Sequence, residues 1–323
     1  MSEEGRFFAK LLLFGEYSIL LGSSALGLPF RKFSGGLKIM DGSERAEKTA
    51  TAKSSNRSIG GMAKKYLQEQ DYFKELLDLD RLIAEINQGL YFDSTIPSGY
   101  GMGSSGALCA AVYHRFANHP VSHLLTLSSD QINELKEIFI RMESPFHGKS
   151  SGIDPLLIYL NQTIHIDQEK KVTCCPPLFK SLEEANGGGE FVKIFLIDTG
   201  HPSETGKLVT HFMRSFVPGA VITPDGRTLI TLTNRCIETF FSTKHDLFFD
   251  EIGELSHFQL MNLRKMIPDQ MVPIWEEGLS KKLFYLKLCG SGGGGFMTAF
   301  TIYPKETTLF FRKKKMNSLS VDL

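Results

Sequence analysis

The sequence has no net charge, since its 36 Lys and Arg balance 36 Asp and Glu. Nucleic-acid binding and adhesion to anionic membranes both draw on a basic excess that displaces counterions or meets lipid phosphates, so neither is expected. Long apolar runs are missing too. Apolar runs such as 11–14 and 17–30 are interrupted by Glu16 or diluted with Gly and Ser, and fall short of the about 18 residues that span a bilayer. Cysteine is scarce. Cys109, Cys174, Cys175, Cys236 and Cys289 make an odd number without a CxxC spacing, so neither a disulfide framework nor a zinc motif is indicated. The opening Met1-Ser2-Glu3-Glu4 is acidic where a secretory leader is basic, and the expected location is a reducing cytoplasm.

What is present is a globular composition, 42% hydrophobic and 22% charged over 323 residues, long enough for two domains with cores of their own. Strand-like and helix-like runs alternate, which predicts a mixed α+β architecture. Strands are expected over 10–21, 89–96, 158–166, 191–197, 284–289 and 296–303. Leu108, Val112 and Phe116 recur every four positions and predict a helix from the serines at 104 and 105 to about Asn118. A second helix starts near Ser129 and Asp130 and carries Ile132, Leu135, Ile138, Phe139 and Met142 until Ser144-Pro145 should break it. A third helix is expected over 205–216, and the basic run 312–315 reads as a solvated tail. The polar stretch 181–190, with Asn186-Gly187-Gly188-Gly189, reads as a linker, so the expected domains are 1–185 and 186–323.

Glycine is abundant at 30 residues, and nine of them fall at 99, 101, 103, 106, 290 and 292–295. The segment Pro97-Ser98-Gly99-Tyr100-Gly101-Met102-Gly103-Ser104-Ser105-Gly106 joins a strand to a helix. Such a junction aims several backbone N–H groups at one point and attracts phosphate. Ser104 and Ser105 can cap the helix or offer hydroxyls to a phosphate or its metal, and the plainer alternative is a tight turn with a serine cap. Gly101-x-Gly103-x-x-Gly106 formally fits a dinucleotide fingerprint, which would make the chain a nicotinamide oxidoreductase. No strand ending in Asp or Glu follows about 20 residues on, as that fingerprint requires. Gly148-Lys149-Ser150 is no Walker loop, because Glu143 stands where its first glycine belongs.

Three charged residues carry alternative readings. Glu143, at a helix end where the dipole disfavours a carboxylate, is either solvated or one side of a Mg²⁺ site completed by phosphates and water. Asp154, before Pro155, is either a helix N-cap or a catalytic carboxylate. Lys10 is either an edge lysine or the cation that keeps Asp154 ionised and offsets phosphoryl charge.

Together these segments resemble the GHMP kinases, the superfamily of galactokinase, homoserine kinase, mevalonate kinase and phosphomevalonate kinase. Residues 97–107 resemble its PxxxGLGSSAA loop, 288–295 its C-terminal glycine motif, and 10–17 its N-terminal substrate motif. His147-Gly148-x-x-Ser151-Gly152-Ile153-Asp154 is similar to the HGxPSGxD segment of the mevalonate kinase branch, and Asp198 to Thr205 to a substrate segment of the second domain. The resemblance implies a two-domain fold, an N-terminal ATP-loop domain plus a C-terminal ferredoxin-like α/β sandwich. It implies ATP- and Mg²⁺-dependent phosphoryl transfer to a small-molecule hydroxyl, with mevalonate as the first acceptor and phosphomevalonate as the alternative. A GHMP fold that binds without turnover is a further possibility, opposed by the joint presence of Lys10, Glu143 and Asp154.

By position, Asp154 and Lys10 would be catalytic. Pro97, Gly99, Gly101, Gly103, Ser104, Ser105, Gly106, Gly292 and Gly293 would hold ATP, and Ser105 and Glu143 the metal. Glu16, Tyr17, His147, Ser151, Thr205, Gly290 and Ser291 would surround the acceptor. The expected partners are ATP and that acceptor, with neither nucleic acid nor membrane, and a homodimer is among the assemblies allowed. Tyr17 stands where mevalonate kinases usually have His, and Ser203 where an Arg is frequent.

Overall fold

The computed structural model describes residues 5–40, 46–122, 127–147, 150–175, 192–203, 205–242 and 245–321, with only the backbone at 46–48, 146, 147, 205 and 245. The chain groups into two compact units that interleave along the sequence. One comprises residues 1–10, 29–97 and 103–162, the other 11–28, 98–102 and 163–323. The expected linker and the boundary at 185 and 186 lie outside the described residues. The strands β1 (Arg6–Phe14) and β2 (Ala25–Ile39) each lend residues to both units. A division made inside strands leaves no change of composition for a sequence reader to see.

In the first unit β2 pairs antiparallel with β3 (Leu90–Ser94), Gly35 opposite Ser94 and Ile39 opposite Leu90. Helices α1 (Ala46–Gln68), α2 (Gln70–Leu76) and α3 (Leu79–Asn87) precede β3. Asp78 caps α3 by accepting the Arg81 N–H at 3.0 Å. The helix expected after the glycine loop is α4 (Ser104–Phe116), in which every residue from Gly106 to Tyr113 is buried. It packs with α5 (Ser129–His147) and α6 (Ile153–Leu160) around Tyr113, Phe139 and Tyr159, whose ring centroids lie 5.2–5.5 Å apart.

Two expectations change here. Residues 158–160 are not strand but the last turn of α6, a helix buried from Pro155 to Leu160. A short run that is apolar all round has no period by which helix and strand differ. Nor does Pro145 end α5, which continues to His147. Proline supplies no N–H to the carbonyl four residues earlier. The Ser144 hydroxyl donates to that carbonyl, of Arg141, at 2.9 Å, so the helix loses little by continuing.

In the second unit the stretch expected as the end of a strand, residues 18–21, is a 3₁₀ turn. β4 (Thr163–Ile166) pairs with Ala25–Gly27 of β2, and β5 (Val172–Cys175) with β4, all antiparallel. The remaining strands are β6 (Lys193–Asp198), β7 (Tyr285–Leu288), β8 (Phe296–Thr301) and β9 (Ser318–Val321), in the spatial order β7-β8-β6-β9. Helices α7 (Thr205–Phe216), α8 (Pro224–Phe240), α9 (His245–Asn262) and α10 (Val272–Lys281) connect β6 to β7, and α11 (Pro304–Lys313) connects β8 to β9. That antiparallel order, with helices in those connections, is the ferredoxin-like arrangement. The basic run 312–315 is no tail, because it closes α11 ahead of β9, and Lys314 pairs with Glu277 at 2.8 Å. Among the described residues no helix is long and apolar enough to cross a membrane.

Candidate active site

The first unit gathers the charged residues singled out in the sequence. Lys10 lies on β1 yet is only 4% exposed, so it is no surface edge lysine. Its Nζ stands 3.0 Å from Asp154 Oδ2, and the aspartate side chain keeps 37% of its surface exposed. The buried ammonium thus faces a carboxylate that stays reachable from outside. Asp154 is not the N-cap of α6, since Gly152 occupies that position and Asp154 sits in the first turn.

Glu143 is 5% exposed, on α5. Its Oε1 accepts the Ser105 hydroxyl at 3.0 Å, and Oε2 accepts that of Ser150 at 2.5 Å. Neither serine of the loop caps α4 with its side chain, because the N-cap is Gly103 in the left-handed region, φ 76°. The Ser105 hydroxyl turns toward Glu143 instead. Tyr66 and Cys109 lie close to this carboxylate, and both acidities are suppressed, chiefly by burial, with the negative charge of Glu143 adding to it. A negative charge in a poorly solvated place favours a cation beside it.

The oxygen donors of Ser105, Glu143 and Ser150 suit a hard cation such as Mg²⁺. Among the described residues no cluster of three or more His, Cys, Asp or Glu side chains could cage a metal. Any Mg²⁺ here would therefore need further oxygens from phosphate and water.

Gly106 joins the two groups of residues. A Cβ there would lie 2.9 Å from Pro155 N and 3.1 Å from the carbonyl carbon of Asp154, so the absence of a side chain lets α4 approach the start of α6. Pro97 and Ser104 are half-buried beside this loop. Ser151 is exposed, and its hydroxyl accepts the Ile153 N–H at 3.4 Å. The side chain of His147 lies outside the described residues.

The second unit holds the remaining expected residues around its glycine loop. Gly99 and Gly101 belong to this unit and are exposed. The Gly99 carbonyl accepts the Ser203 N–H at 2.8 Å. Tyr17 has a left-handed backbone, φ 62°. Its ring lies 4.5 Å from that of Phe212, and its hydroxyl donates to the Ser291 carbonyl at 2.6 Å. Burial pushes that phenol well above its ordinary range, so it stays a donor. The Ser203 hydroxyl bonds Ser291 Oγ at 3.0 Å and donates to the Gly292 carbonyl. Gly290 lies against Gly101, and Gly293 N–H donates to Met266 O at 2.5 Å. Thr205 opens α7, its side chain outside the described residues.

Glu16 is placed differently from an open substrate ligand. Its side chain is 2% exposed and its Oε2 lies 2.5 Å from Nζ of Lys287, a lysine with no exposed side-chain surface. That Nζ also donates to Leu288 O at 2.7 Å and lies 5.6 Å from the Phe14 ring centroid.

Residues 62–161 match the family described as GHMP kinases N terminal domain. The matched GHMP kinase segment contains the loop, Ser105, Glu143, Ser150 and Asp154, whereas Lys10 and the 290–295 loop lie outside it. A curated mevalonate kinase of Thermococcus gammatolerans is 28% identical over 182 residues, covering 50% of this chain and 51% of that protein. The match thus spans about half the length of that relative. Among solved structures, the Methanococcus jannaschii mevalonate kinase has TM-score 0.63 at 17% identity, over 98% of this chain and 96% of that one. A Streptococcus pneumoniae phosphomevalonate kinase in complex with phosphomevalonate and AMPPNP has TM-score 0.58 at 13% identity, over 98% and 99%. At such identities the structures establish that the GHMP kinase fold is shared.

Two contacts were not read from the sequence. Ser150 is bonded to Glu143, a contact that no sequence spacing marks. Lys287 is the partner of Glu16. A lysine inside Tyr285-Leu286-Lys287-Leu288, a strand buried at every position, was the available signal.

Proposed function

We propose that this chain is a GHMP kinase that transfers the γ-phosphoryl group of ATP to the hydroxyl of a small molecule, with mevalonate as the acceptor, in the cytoplasm. The observation that carries the reading is the Lys10–Asp154 pair, a reachable carboxylate held by a buried ammonium, in the same unit as the Ser105–Glu143 pair. Phosphoryl transfer asks the protein for position and charge more than for covalent chemistry. Asp154 would orient the acceptor hydroxyl and accept its proton. Lys10 would hold the Asp154 carboxylate in place and offset charge gathering on the phosphoryl oxygens. The start of α4 would direct backbone N–H groups at the phosphates. Ser105 and Glu143 would ligate Mg²⁺, which when bound neutralises phosphate charge.

Mevalonate is favoured because the curated relative is a mevalonate kinase at 28% identity. Phosphomevalonate is the second acceptor to try, supported by the fold likeness to a phosphomevalonate kinase. A nicotinamide oxidoreductase finds no support in the fold. The strand before the loop, β3, pairs antiparallel with β2, whereas the dinucleotide fingerprint belongs to a parallel βαβ unit.

The test is to incubate the purified chain and MgATP separately with mevalonate, phosphomevalonate and homoserine and to follow ADP. Mevalonate-dependent ADP formation is the expected result. Release only with phosphomevalonate would move the assignment to that acceptor, and no release with any alcohol, with NADH bound tightly instead, would overturn the kinase reading.

A further inference from the structure

Glu143 needs an explanation for its orientation. Rotation about the terminal torsion of a glutamate is soft, yet this carboxylate presents Oε1 to Ser105 and Oε2 to Ser150. The Ser150 hydroxyl has one proton, given to Oε2, and its oxygen accepts the Gly152 N–H at 3.0 Å. Gly152 has φ 68°, and a Cβ there would lie 2.6 Å from Lys136 O and 2.8 Å from Ile140 Cγ1. The turn carrying Ser150 is therefore seated directly on α5, just ahead of Glu143 in the same helix. From Gly152 the chain enters α6, with the Leu156 N–H donating to Gly152 O at 3.1 Å, and Asp154 follows in its first turn. A continuous link thus runs from Glu143 through Ser150 and Gly152 to Asp154.

We propose that Ser150 is a positioning residue, one that fixes the orientation of the Glu143 carboxylate for Mg²⁺ and sets the spacing between Glu143 and Asp154. This rests on the kinase reading and deepens it. Mg²⁺ tolerates little departure from octahedral geometry, so a carboxylate already fixed in direction binds it with less rearrangement. Partners that hold a ligating carboxylate in place are worth about 10- to 100-fold in metal affinity. Removing the Ser150 hydroxyl also leaves Oε2 without that donor in a buried place, which favours rotation of the carboxylate away from its bound direction.

The experiment titrates Mn²⁺ into the full chain with a non-hydrolysable ATP analogue and reads free Mn²⁺ by electron paramagnetic resonance. Ser150→Ala is expected to weaken Mn²⁺ by about 10- to 100-fold, and Ser150→Thr, which keeps the hydroxyl, to stay within about threefold of wild type. Analogue binding in EDTA should be the same in all variants, which a general loss of structure would not give. Should Ser150→Ala melt below the assay temperature, Ser150→Cys, similar in size and a poor donor, carries the same comparison. Glu143→Gln separates the two levels of the argument. If it weakens Mn²⁺ while Ser150→Ala stays within twofold of wild type, the role of Ser150 is overturned and the metal assignment stands. If Glu143→Gln leaves Mn²⁺ affinity unchanged, the metal assignment falls and takes the role of Ser150 with it.

Discussion

Asp154 and Lys10 are 144 positions apart in sequence and 3.0 Å apart in the fold. Each had an ordinary alternative, a helix cap and an edge lysine, and burial of Lys10 together with Gly152 as the cap of α6 removes both. Asp154→Asn keeps the size of the side chain and a hydrogen-bond acceptor for Lys10 but cannot take a proton. It should lower turnover by about 10²- to 10⁴-fold, the usual worth of a positioned general base. Nucleotide affinity should change little, as fluorescence titration with an ATP analogue would report. Turnover within threefold of wild type would remove Asp154 from the proposed role. The residue types were legible because a carboxylate, a lysine and a glycine-serine loop are what phosphoryl transfer requires. Their pairing was not, because contact across such a sequence separation depends on how β1, α4 and α6 pack.

At the scale of elements, most of the candidate residues of the first unit ride on α4, α5 and α6, and α4 comes close to the start of α6 at Gly106. Gly106→Ala places a methyl group against the backbone of Asp154 and Pro155, and backbone cannot rotate aside as a side chain can. Overpacking of this kind costs about 1–3 kcal/mol, to be measured by urea unfolding. Displacement of Asp154 by even about 1 Å is expected to cost about 100-fold in turnover. A variant as stable and as active as wild type would show that α4 and α6 can separate without consequence. The periodic apolar residues of α4 and α5 made these helices readable. The short α6 was not readable, because buried surface on every side erases the period, and Pro145 misled because the Ser144 hydroxyl replaces its missing donor.

At the scale of the whole molecule, the Glu16–Lys287 pair joins distant parts of the chain, both side chains at or below 2% exposure. Burying an ion pair adds little net stability, but removing one partner strands a charge and costs about 3–5 kcal/mol. Lys287→Met is expected to lower the unfolding free energy by that amount in urea titrations. The double variant Glu16→Gln, Lys287→Met should lose less than the two single variants summed, because the second change relieves the charge stranded by the first. Additive losses would mean that the two groups do not interact in solution.

The sequence by itself determined the α+β class, the two glycine-rich loops and the residue types on which a kinase reading rests, because these depend on local periodicity, backbone freedom and side-chain chemistry. Only the tertiary structure decided which oxygen of Glu143 meets which serine, that Glu16 spends its charge on Lys287, and that the units interleave instead of following one another. Those outcomes depend on contacts between segments far apart in the chain, and their direction and burial are set by packing that no spacing records.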